Sequence, residues 1–275
     1  MNWRRYFFVP GCAACFAALC TVVFSLAAAP ADLRAETAHS DPVPGTHPPF
    51  HAGERLTYNI SWSKVFSAGT AVMEVREERT AEGRDILRFV STARTTGMVD
   101  KVYPVRDTVQ SVVDPRTMLS LSYSLNQSHG KRKRNRELIF DHGKNKVSFI
   151  EGGKLESIDV PANVQDALSS LYYVRTLAEF TEGKPIVVTV CDSGKTWTVE
   201  VHVLGREKVK TPVGEFNTIK VKTYPKYEGV FLNKGEIFIW LTDDRRKVPV
   251  LMKSTITIGS IVSTLTDMHL GDDRQ

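Results

Sequence analysis

Few side chains in this 275-residue sequence are placed to do chemistry. Asp243 and Asp244 are adjacent carboxylates, followed at once by Arg245 and Arg246. Neighbouring residues in a turn point apart, so a turn-forming or salt-bridging role is expected rather than general acid–base work. Cys191 lies in a strand-like stretch, and a thiol nucleophile needs a base in reach. The nearest histidine in sequence is His202, and a structural thiol is the expectation. His39, His47 and His51 fit no ligand spacing, so neither a metal nor a cofactor is expected. The sequence has no Gly-x-Ser-x-Gly elbow, no phosphate loop and no His-Glu-x-x-His pair. Catalysis by residues distant in sequence stays open.

Three other sets stand out. Lys131, Arg132, Lys133, Arg134 and Arg136 form a dense basic run. It suits either contact with an anionic surface, such as lipid head groups or lipopolysaccharide phosphates, or a solvated edge that discourages strand pairing. It lacks the interleaved aromatics or module of a nucleic-acid reader, so no nucleic acid is expected. Tyr58, Trp62, Tyr123, Tyr172 and Trp240 are candidates to line a ligand cavity, the alternative being an ordinary aromatic core. Arg175 falls on the apolar side of a helix, where a guanidinium needs a carboxylate. Asp243, Asp244 and Glu236 are the candidate partners.

The elements that must position these groups are mostly strands. One helix is expected, from Asn163 as N-cap to Phe180, with Ala167, Leu168, Leu171, Tyr172, Val174, Leu177 and Ala178 at helical spacing. Its narrow polar face predicts a helix buried against or inside a sheet, ended by Gly183 and Pro185. Elsewhere the period is two. Glu54 to Ser63 alternates cleanly, Phe66 to Gly69 reads as a turn, and Thr70 to Glu77 and Ile86 to Thr92 follow. Thr108 to Val113, Leu119 to Leu125, Leu138 to Asp141 and Lys146 to Ile150 continue the pattern. After the helix come Pro185 to Cys191, Trp197 to Lys210, Glu215 to Thr223, Glu236 to Trp240, Val248 to Ile258 and Ile261 to Leu265. His269 to Gln275 reads as a frayed end.

Residues 1–31 read as an export signal: Arg4 and Arg5, an apolar run, then Ala27-Ala28-Ala29-Pro30-Ala31. Cleavage is favoured after Ala31, with Ala29 as the other site. An uncleaved inner-membrane anchor facing the periplasm, and lipidation at Cys20, are the alternatives. Cys12, Cys15 and Cys20 lie in this leader, so Cys12-x-x-Cys15 is no redox motif and no internal disulfide is available to the mature chain. Two of the net +5 charges also go with the leader, which leaves a mildly basic domain. Residues 32–49 are a Pro-rich tether.

The stretch GERLTYNISWSKVFSAGTAVMEV resembles the opening of the bacterial family of domains of unknown function numbered 3108. DALSSLYYVR, GREKVKTPVGEFNTIKV and IFIWLTDDRRKVPVLMKSTITIGSI agree with it in order. The resemblance implies an exported, mostly β envelope protein and supplies no catalytic residues. The expected architecture is a single all-β domain over residues 50–270, mainly antiparallel. It would be a strongly curved sheet or half-open β-barrel of about ten to fourteen strands, with one helix packed against it. The expected role is non-catalytic binding of a lipid-like or protein partner in the periplasm. An envelope-acting hydrolase, or an assembly factor docking through residues 131–136, are the alternatives. Membrane association would follow from an uncleaved leader; the oligomeric state is not legible.

Overall fold

Alternation with period two runs through most of the chain, and in the computed structural model it becomes one antiparallel ribbon. The structure describes residues 48–63, 65–177, 179–227, 230–231, 236–255 and 259–271. The expected export signal at residues 1–31, and the expected tether up to His47, lie outside the described residues.

The first half comprises β1 (Glu54–Trp62), β2 (Phe66–Arg79), β3 (Asp85–Thr95), α1 (Gly97–Val102), β4 (Val105–Val113), β5 (Ser120–His129), β6 (Arg132–Asp141), β7 (Lys146–Glu151) and β8 (Lys154–Asp159). The second half comprises α2 (Ala167–Thr176), β9 (Ile186–Asp192), β10 (Lys195–Thr211), β11 (Gly214–Tyr227), β12 (Val230–Phe231), β13 (Ile237–Thr242), β14 (Pro249–Thr255) and β15 (Ser260–Leu270). Strands adjacent in sequence pair, except that β8 does not pair with β9 and β13 pairs with β11 rather than β12, and the first and last strands meet where β1 pairs with β15. The order is therefore β8 to β1, then β15, β14, β13, β11, β10 and β9, with β12 beside β11. β8 and β9 are its edges and do not pair, so the sheet is curved but not closed.

Two devices occupy the gap. Gln165 makes a parallel bridge to Val190, its N–H donating to the Thr189 carbonyl at 2.9 Å and its carbonyl accepting from Cys191 N–H at 2.8 Å. Its side-chain amide donates to the Met118 carbonyl at 3.1 Å, just before β5. The second device is an ion pair. Arg136 of β6, only 2 % exposed, donates to Asp192 at the end of β9 at 2.6 Å. The side chain of Arg136 follows the inward phase of Leu138 and Phe140, and this removes it from the expected anionic-contact strip.

The helix is shorter than its sequence pattern suggests. Asp166, not Asn163, is the N-cap: its carboxylate accepts from the N–H groups of Leu168 and Ser169, both at 2.8 Å, and Ser169 closes a capping box. Asn163 instead takes a left-handed backbone at φ 59°. The helix stops at Thr176, well before Gly183, because Leu177 is already extended. Its Tyr172 stacks on Phe89 of β3 at 3.8 Å between centroids, with Phe50 edge-on to both rings. The core therefore fills the inner side of the sheet, with α2 inside it.

Three further expectations are corrected. Phe66 to Gly69 is strand, and the turn lies earlier, at Ser63, where φ is 47°. His269 and Leu270 are paired with β1 rather than frayed. A second helix, α1, forms the connection between the paired strands β3 and β4.

Arg175 is fully buried and forms a two-pronged pair with Glu54, at 2.7 and 2.8 Å. It also donates to the Arg246 carbonyl at 3.2 Å and lies 5.0 and 5.2 Å from the Phe50 and Tyr172 ring centres. This corrects the expected partners. Asp243 instead accepts from Arg206 at 2.9 Å, and Glu236 takes Lys222. Asp244 caps the loop after β13, accepting from the N–H groups of Arg246 and Lys247 and from the Thr242 hydroxyl.

Removing one member of the Arg175–Glu54 pair leaves the other charge buried, so Glu54→Gln or Arg175→Met alone should cost about 3–5 kcal/mol in urea unfolding. The double change Glu54→Leu/Arg175→Met should recover most of that loss. Asp166 gives a pH test. Burial pushes its carboxyl above the ordinary value of 3.8, partly offset by hydrogen bonds from Ser111 and from the helix N–H groups. A raised folded value means that the stability tied to its protonation is present below pH 3.8 and lost as pH rises through the folded value. The stability of Asp166→Asn relative to wild type should therefore increase as pH rises from 3.8 to the folded value and level off above it, whereas Asp166→Ala should lose about 1 kcal/mol or more of capping at every pH.

Candidate functional site

The five aromatic candidates do not converge. Tyr58, Tyr123 and Tyr172 are inward residues of β1, β5 and α2, each at most 1 % exposed, and they belong to the packed core. The Tyr58 hydroxyl donates to the Pro249 carbonyl at 2.8 Å, tying β1 to β14 across the interior. Trp62 is half-buried at the end of β1 and packs on the same core. Among the described residues Trp240, itself only 7 % exposed, is the candidate that lines a groove.

That concavity is on the other side of the sheet. Asn59, Thr264, Leu251 and Trp240 are register partners across β1, β15, β14 and β13, so their side chains share one outward row. The long β10–β11 hairpin supplies the facing wall. A bulge between Val203 and Gly205 shifts its register, and the backbone at Gly205 has φ 142°. Beyond that bulge Glu207, Lys208, Val209 and Lys210, with Pro212 of the turn, face Val65, Phe66 and Ser67 across a groove of about 690 Å³. This lies within the usual volume range for small-molecule sites.

The groove has a mixed lining. Trp240, Leu251, Val209, Phe66 and Val65 make its apolar part, and Asn59, Ser61, Thr264 and Thr266 a polar strip. Trp240 is fixed from both sides: its indole N–H donates to Glu207, and the Lys220 ammonium sits 5.0 Å from the ring centre. The indole hydrogen bond, together with nearby Lys220, holds the Glu207 carboxyl below its usual range. Lys208 is paired with Glu215 at 3.2 Å, and Lys210 is exposed. The sequence carries one hint of this site: Trp240 lies out of phase with the inward residues Ile237, Ile239 and Leu241. The other wall depends on how a hairpin bends and has no local signature.

The basic run is divided by the strand it begins. Arg134 pairs with Glu151, and Arg136 is buried against Asp192. Lys131, Arg132 and Lys133 remain exposed at the β5–β6 turn. Among the described residues no group of three metal-ligating side chains comes together. Cys191 is buried, and burial pushes its thiol up to about 12. His202 is engaged with Glu200 at 2.9 Å.

The fold and the groove together define a half-open β-barrel that is plugged by a helix inside and carries its concavity outside. The chain belongs to the DUF3108 family, proteins of unknown function, whose model matches residues 57–266. No curated protein matches it. Among solved structures it is similar to a β-barrel-like protein of domain of unknown function DUF1849 from Brucella abortus. The TM-score is 0.55 at 13 % identity, over 81 % of this chain and 100 % of that one, a likeness of fold. A Bacteroides fragilis protein described as exported and YmcC-like in fold gives 0.31 at 12 % identity, over 83 % and 99 %. A Parabacteroides distasonis protein described as a lipoprotein gives 0.31 at 10 %, over 85 % and 100 %. Neither score supports a fold comparison.

A thiol with so raised a pKa is almost wholly protonated near neutrality. Cys191 should therefore resist iodoacetamide in the folded protein at pH 8 and react fully in denaturant, as read by intact mass. Rapid native-state labelling would show that the thiol is accessible after all.

Proposed function

We propose that the protein is an exported, non-catalytic binding protein of the cell envelope, working in the periplasm, that holds an amphiphilic ligand in the Trp240 groove. The groove carries this reading. Its apolar wall, formed by Trp240, Leu251 and Phe66, matches an acyl chain, and Lys210 at its margin matches an anionic or polar head. The packed interior around Tyr58, Tyr123 and Tyr172 favours an outer over an inner site. The export reading rests on the leader at residues 1–31. Binding is favoured over hydrolysis because Asp243 and Asp244, the strongest carboxylate candidates in the sequence, are engaged with Arg206 and with the loop backbone.

Native mass spectrometry of the chain isolated from the periplasm without detergent tests this. The expected spectrum shows an added mass that organic extraction releases as an amphiphile. Thr264→Trp, with Thr266→Trp as a second filling of the groove, should abolish that mass while leaving the thermal melt unchanged. A bare mass for the wild type, or an adduct that survives both fillings, overturns the proposal.

A further inference from the structure

Five of the nine exposed large apolar side chains among the described residues lie at one end of the barrel. Val65 is 81 % exposed and Phe66 51 %, at the β1–β2 turn; Met98 is 82 % and Val102 81 %, on α1; Tyr103 follows at 41 %. None of the six residues of α1 is buried. A one-and-a-half-turn helix gains little from its own hydrogen bonds, and helices normally persist by burying an apolar face. Here the apolar residues point into water.

These loops form one continuous rim. Thr96 N–H donates to the Ala68 carbonyl at 3.1 Å, fixing the start of α1 to β2. Gly130 N–H donates to the Pro104 carbonyl at 2.8 Å, bringing the β5–β6 turn against Tyr103. A Cβ at Gly130 would meet that ring at 3.7 Å. The same turn presents Lys131, Arg132 and Lys133, and α1 presents Lys101, all exposed. Two carboxylates at this end, Asp100 and Asp107, are engaged by Arg106 and His129. Solvent therefore meets an apolar crest flanked by cations.

We infer that this rim docks on an anionic lipid bilayer, with Val65, Phe66, Met98, Val102 and Tyr103 entering the interface and Lys101, Lys131, Arg132 and Lys133 meeting the head groups. Clustered exposed apolar residues mark a contact surface, and basic residues beside them favour anionic lipid over an uncharged protein face. The inference extends the envelope reading but rests mainly on residues outside the groove, Met98, Val102, Tyr103 and the β5–β6 turn. Val65 and Phe66 line both the rim and the groove, so docking would set the mouth of the groove at the membrane.

The test is co-flotation of the mature chain with vesicles of phosphatidylcholine alone or with added phosphatidylglycerol. Binding is expected with the anionic vesicles and should weaken as salt rises. Met98→Ser/Val102→Ser, at two positions too exposed to matter for folding, should weaken binding by about tenfold or more. Lys131→Gln/Arg132→Gln/Lys133→Gln should weaken it on the order of a hundredfold. Thr264→Trp should bind vesicles as the wild type does, and the rim variants should keep any groove adduct, so the two proposals fail separately. No flotation with anionic vesicles overturns the inference. So does flotation that is unchanged in the Met98/Val102 variant.

Discussion

The Arg175–Glu54 pair is the contact on which the rest of the architecture depends. An open ribbon of strands has no intrinsic reason to curl round a particular helix. The pair supplies one, because both charges are fully buried and each is satisfied only when α2 lies against the start of β1. Such a pair adds little net stability compared with apolar residues of the same size, but every misplacement of the helix leaves a charge unpaired in the core. Phe50 and Tyr172 then pack against the guanidinium, and Phe89 stacks on Tyr172, which fixes the depth of the plug. The interior is thereby occupied by the protein's own side chains, and a concavity is left to the outer side.

The gap between β8 and β9 is managed in the same way. Strand pairing would close the barrel, but the two edges are instead joined indirectly, by Gln165 on the β9 backbone and by Arg136 reaching Asp192. β8 itself is short and charged, with Lys154, Glu156 and Asp159, a composition that discourages further strands from adding to it.

Most of the fold was legible because half-buried strands must alternate. In β1, β2, β4 and β10 most of the buried residues are the ones that alternation picks out. β8 was not legible, since five of its six residues are exposed and only Ile158 packs on the core. α1 was missed because six residues carry no helical period and none is buried. The partner of Arg175 was missed for a different reason. Glu54 is 121 positions away, but it stands in phase with Leu56, Tyr58 and Ile60, so alternation alone placed a carboxylate in the core. Arg136 carried the same signal beside Leu138 and Phe140. Charged residues in an inward phase were the overlooked evidence, and reading the basic run by composition hid one of them. The groove was the least legible part, because one of its walls is set by a bulge in β10 and not by any local pattern.

The pairing of β1 with β15 has a consequence for orientation. Glu54 lies opposite Leu270, so the domain receives its N-terminal segment and finishes its last strand at the same pole. The apolar crest of Phe66, Met98 and Val102 is at the other pole, a full strand length away. A bilayer docked on the crest as proposed would therefore leave both ends of the described domain at the pole far from the lipid.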